Sequence, residues 1–143
     1  ERIDEMQEHY DFLKNRLMQG LHDLSDYIPE LNIRFNSLVD DDHKKQSPSI
    51  VNFSFPPVEG EVLLHHLEEK GIFVGLGSAC SASSKKPSRI LLGIGLSEEE
   101  ARCSLRISFS GNNTINDIDV FLEEFSRAYK NLYPTFYKIS KKM

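Results

Sequence analysis

The chain has 143 residues, 39% of them hydrophobic, and its 17 basic against 22 acidic side chains leave a formal charge of −5. That supplies one core's worth of apolar side chains and excludes a strongly basic nucleic-acid-binding field, a disulfide scaffold built on two cysteines, and a membrane helix, since no apolar run nears the ~18 residues a span needs. Nine Phe and five Tyr argue against disorder. The chain opens at Glu1 with neither Met nor signal peptide, which points to a piece of something longer.

Ile3, Met6, Tyr10, Leu13, Leu17, Leu21, Leu24 and Ile28 recur every three or four residues and predict a long amphipathic helix ended by Pro29. No capping residue precedes that stripe, so the chain is expected to start inside or just before the helix. Residues 31–36 alternate apolar and polar and predict a half-buried strand; 37–48 read as a charged loop. A second strand is predicted at 50–55, closed by Pro56 and Pro57. Gly60 to Lys70 is a short helix with Val62, Leu63 and Leu67 inward, terminated by Gly71.

Ile72, Phe73 and Val74 predict a third strand, and 75–86 a loop of small residues. Pro87 is placed to open a helix with Ile90, Leu91 and Ile94 inside. Ser97 with Glu100 three residues on is a capping box. Residues 105–109 predict a fourth strand. A last helix, capped by Thr114 or Asn116, carries Ile118, Phe121, Leu122, Phe125 and Tyr129 on one face, and the Lys-bearing tail from Tyr133 reads as weakly ordered. No repeat or linker divides the chain. The order predicts an α+β fold, a small, mainly antiparallel sheet of about four strands covered by helices.

Two residues stand out chemically. Cys80 sits among Gly75, Gly77, Ser78, Ala79, Ser81, Ala82, Ser83 and Ser84, where nothing bulky shields a nucleophile. A following helix start with Lys85 and Lys86 favours the thiolate, the reactive form. A reactive thiol and an ordinary surface-loop cysteine are both open on this ground alone. Arg106 lies inside an alternating strand, facing away from Leu105 and Ile107 on the side of Ser104 and Ser108. There it is either a bidentate carboxylate clamp or a solvated arginine on an open sheet face.

The run Gly77-Ser78-Ala79-Cys80-Ser81-Ala82-Ser83, then Pro87-Ser88, Gly95-Leu96 and Ser104-Leu105-Arg106-Ile107-Ser108, resembles the C-terminal part of the cysteine desulfurases of the NifS/IscS type, in the class V aminotransferase group. Asn52-Phe53-Ser54-Phe55 before Val58-Glu59-Gly60-Glu61 fits as well, as does Thr114 before Asp117-Ile118-Asp119. The likeness runs from about residue 10 to residue 130.

The resemblance implies that residues 1–143 are the single small C-terminal domain of a fold-type I enzyme using pyridoxal 5'-phosphate. Residues 1–28 would be part of the long interdomain helix, and the large cofactor domain would be absent. It implies an enzyme that turns L-cysteine into L-alanine, passing the sulfur as a persulfide to a loop cysteine and on to acceptor proteins for iron–sulfur cluster assembly or tRNA thiolation. Carried over by position, Cys80 is the catalytic nucleophile and persulfide carrier, and Arg106 binds the substrate carboxylate. The long loop fits the IscS/NifS branch. A cytoplasmic homodimer follows from the same likeness, with no membrane and no direct nucleic-acid contact.

The chain departs from the pattern at Leu76, at Lys85-Lys86 and at Cys103, which stands where the family usually has Ser and reads as a half-buried structural residue. His43-Lys44 falls in a variable charged loop and not where the family's cofactor lysine stands, so no cofactor-binding residue is expected in this chain, which alone should be inactive. His65 and His66 read as surface or packing residues, with no metal site. A non-catalytic persulfide carrier or interaction module is the alternative.

Overall fold

The computed structural model describes residues 2–36, 49–77 and 97–142. In chain order the elements are α1 (Arg2–Tyr27), β1 (Arg34–Asn36), β2 (Ile50–Ser54), α2 (Gly60–Glu69), β3 (Gly75–Leu76), α3 (Glu98–Arg102), β4 (Ser104–Ser108) and α4 (Ile115–Lys142). The strands form one sheet in the order β1-β2-β4-β3, each neighbouring pair antiparallel. This is the expected α+β architecture.

Strand alternation gives the sheet two chemically opposite faces. Phe35, Val51, Phe53, Leu76, Leu105 and Ile107 join the core shared with α1, α2 and α4. Phe53 lies at its centre, its ring 5.5 to 6.5 Å from those of Phe55, Phe121 and Phe125. Arg34, Asn36, Asn52, Ser54, Ser104, Arg106 and Ser108 hold the alternate positions and form a polar face.

The predicted stripe of α1 is buried at its middle: Leu13, Leu17 and Leu21 are inaccessible to solvent, while Met6 near the helix start is exposed. The helix lies close against α4 because Gly20 has no side chain where Leu122 packs. Arg16 donates to Asp119 at 2.7 Å along the rim of the same contact.

Two elements differ from expectation. Residues 72–74 are not a strand. The backbone N–H groups of Gly71 and Ile72 still bond to Glu68 and Leu67 at the end of α2, with Gly71 at φ 78°. That cap spends the donors a strand would need and leaves Phe73 exposed. Pairing begins at Gly75, opposite Arg106. The tail is also helical, through Pro134 to Lys142. Aromatic rings at every fourth position (Phe121, Phe125, Tyr129, Tyr133, Tyr137) pack consecutively at 5.5 to 6.2 Å. A four-residue step gains about 40° per ring on the helix, so this ladder walks out of the core, from buried Phe125 to exposed Tyr137. These contacts carry the helix past the hydrogen bond Pro134 cannot make.

Of the loop expected at 75–86, Gly75 and Leu76 form β3; its residues 78–86, Cys80 among them, lie outside the described residues, as do the charged loop at 37–48 and the helix expected at Pro87.

Candidate functional site

The polar face is organised in cross-strand rows. Arg34 of β1 pairs with Ser54 of β2, and Ser54 with Ser104 of β4. In the next row Asn36 pairs with Asn52, Asn52 with Arg106, and Arg106 with Gly75 of β3. The buried polar residues among those described, Asn36, Asn52, Ser54 and Ser104, all belong to these two rows.

Buried amides persist where their hydrogen bonds are made. The carbonyl of Gly77 can only accept, so Asn52 presents its Nδ2 there, at 3.1 Å. That turns Asn52 Oδ1 toward Asn36, whose Nδ2 donates to it at 2.8 Å and to Ser54 Oγ at 3.0 Å. Gly77 thus fixes the orientation of both amides. Asn36 Oδ1 is buried without a partner among the described residues. Ser104 Oγ donates to Ala101 O at 2.7 Å, tying β4 to the end of α3.

Arg106 is exposed on this face. Arg16, Arg34, Arg102 and Arg127 each have an acidic partner within 4.0 Å, and Arg106 has none among the described residues. Its guanidinium lies over β3: a Cβ built on Gly75 would stand 2.8 Å from one terminal nitrogen and 3.1 Å from Nε. A fork of donors with no carboxylate partner among the described residues can hold an external one.

Cys103 belongs to the other side of the sheet. It is buried and lines a cleft of about 320 Å³ with Phe136 and Ile139 of α4. Desolvation, helped by the charges of Glu99 and Glu59, pushes its thiol up to about 12. A thiol so protonated is a poor nucleophile, and it is more deeply buried than its sequence suggested. His65 is exposed beside Glu61 and Glu68, and His66 bonds back to Val62 O within α2. His43, Lys44 and Cys80 fall outside the described residues.

The described lysines, Lys14, Lys70, Lys130, Lys138, Lys141 and Lys142, all lie on helices or at a helix end, and none is in a strand beside Arg106. These residues offer no amine to anchor an aldehyde cofactor on the polar face.

The aminotransferase class-V family pattern matches residues 2–121. The chain belongs to that family. Among class-V relatives, the cysteine desulfurase IscS of Clostridium botulinum is 40% identical over 130 residues, covering 91% of this chain and 31% of the relative. The IscS of Dictyoglomus turgidum is 35% identical over 132 residues, covering 87% and 34%. A NifS-like protein of known structure superposes with a TM-score of 0.68 at 22% identity, over 90% of this chain and 29% of that one. The crystal structure of a NifS-like protein from Rickettsia africae gives 0.57 at 26% identity, over 85% and 29%. The chain thus spans about a third of the length of the curated class-V relatives it matches.

The rows Asn36–Asn52 and Ser54–Ser104 and the approach of Arg106 to Gly75 were not singled out from sequence. Their signal was present in the alternation of residues 50–55 and 104–108, which sends Asn52, Ser104 and Arg106 to one face.

Proposed function

We propose that the chain is the small C-terminal domain of a cysteine desulfurase that uses pyridoxal 5'-phosphate, and that it supplies a carboxylate clamp and a sulfur-accepting thiol. Arg106 carries this reading: an arginine on the sheet's polar face, with no acidic partner among the described residues and one cross-strand position from the chain leading to Cys80. Its guanidinium holds the carboxylate of L-cysteine through paired N–H donors.

Cys80 is the acceptor. In the net reaction the Cβ–S bond of the substrate breaks and an S–S bond to Cys80 forms. Cβ takes up a proton and becomes the methyl group of L-alanine, so cysteine and the Cys80 thiol give alanine and a Cys80 persulfide. The described residues do not fit an anchor for the cofactor, which on this reading is held by the larger part of the enzyme, and the chain alone does not turn over cysteine. Sulfur then passes to acceptor proteins such as an iron–sulfur scaffold or a tRNA thiolation enzyme, from a cytoplasmic homodimer.

Arg106→Lys in the whole enzyme tests the clamp. Loss of the paired geometry weakens cysteine binding by roughly 1.5–3 kcal/mol, the range for a hydrogen bond to a charged group. Unchanged cysteine affinity returns Arg106 to a solvated surface residue.

A further inference from the structure

Asn52 has a place that neither the clamp nor the thiol accounts for. It is buried at 2% exposure in the middle of the sheet, directly opposite Arg106. Its Nδ2 donates to the carbonyl of Gly77, and the Gly77 N–H donates to Ser104 O at 3.3 Å. A Cβ at Gly77 would run into Ser104 Oγ and stand 3.1 Å from Asn52 Oδ1, so the backbone is seated against these two side chains. Gly77 precedes Cys80 by three residues in sequence.

We propose that Asn52 is a positioning residue for sulfur transfer: by holding the Gly77 carbonyl, it fixes where the chain to Cys80 departs relative to Arg106. This rests on the reading of Cys80 as acceptor and Arg106 as clamp. Two properties of the amide matter. It donates, which a carboxylate cannot do. It is also neutral. Directly opposed residues in an antiparallel pair have Cβ atoms about 4.5–5.5 Å apart, so an acid at 52 is in reach of the Arg106 guanidinium and competes with the substrate carboxylate.

The test compares the whole enzyme with its Asn52→Ala, Asn52→Asp and Cys80→Ser variants, measuring alanine release and Cys80 persulfide formation from L-cysteine. Asn52→Ala lowers kcat roughly ten- to a hundred-fold, the scale of a small misplacement, with KM nearly unchanged because β4 still carries Arg106. Asn52→Asp lowers kcat similarly and also raises KM. That isostere keeps the acceptor for Asn36 and reads the lost donor even where Asn52→Ala does not fold. Wild-type kcat in either variant overturns the proposal, as does a rise in KM without a fall in kcat. Cys80→Ser judges the underlying reading separately: if it still transfers sulfur, the acceptor assignment fails whatever Asn52 does.

Discussion

Gly75 and Arg106 are direct cross-strand partners, and the guanidinium of one occupies the space the other leaves by having no side chain. A Cβ at 75 would stand 2.8 Å from a guanidinium nitrogen, the far end of a flexible side chain. The guanidinium yields and the fold does not. Gly75→Ala therefore leaves thermal stability within about 0.5 kcal/mol of wild type but moves the Arg106 guanidinium and, with Arg106 as the proposed clamp, raises the KM of the whole enzyme for cysteine. In an Arg106→Ala background the same substitution has no further effect on KM, because neighbours that act through one group are not additive. Equal effects of Gly75→Ala in both backgrounds contradict this relationship.

Gly60 shows the opposite response. A Cβ there runs into the backbone carbonyl of Ser104, and backbone does not swing aside. Gly60 opens α2 where it lies against β4, so Gly60→Ala forces the helix off the sheet at a cost of about 1–3 kcal/mol. Gly111→Ala is the control, since the nearest atom to a Cβ there is Met6 Cε at 3.7 Å. Thermal melting that lowers Tm for Gly60→Ala and spares Gly111→Ala checks this. Equal Tm values for the two variants would refute it.

Burial gives Cys103 a distinct response to pH. The folded Cys103 thiol is raised by desolvation from an ordinary value of 9.0 to about 12. Below pH 9 the thiol is protonated in folded and unfolded chains alike, and its contribution to stability is complete. Between pH 9 and about 12 the unfolded thiol releases its proton while the folded one keeps it, so stability falls with rising pH. Cys103→Ala removes that part of the slope, read as the difference between the two denaturation profiles. Alkylation of the native protein near pH 8 leaves Cys103 unmodified; modification at a rate like that of a free thiol contradicts the buried, protonated assignment.

The fold was legible wherever a period ran long enough to repeat. Leu13, Leu17 and Leu21 on α1 and the alternating residues of β2 and β4 announce their faces, and Ser97 with Glu100 forms the capping box its spacing predicts. Residues 72–74 misled because three apolar residues carry no usable period, and the closing of α2 took the first of their donors, the Ile72 N–H. The tail misled because its lysines suggested weak order, whereas the aromatic ladder through Tyr133 and Tyr137 continues the packing. Arg106 was legible as a polar-face residue from strand parity. The register placing Asn52 and Gly75 on either side of it was not, because register depends on how separate strands align and not on either strand's own pattern.

The most direct measurement is the location of sulfur after the whole enzyme meets L-cysteine. Peptide mass analysis of the product, without reductant, should show one added sulfur on the peptide carrying Cys80, none on that carrying Cys103, and alanine released. Cys80→Ser should abolish the added sulfur. Sulfur on Cys103 instead, or undiminished transfer by Cys80→Ser, would contradict the account.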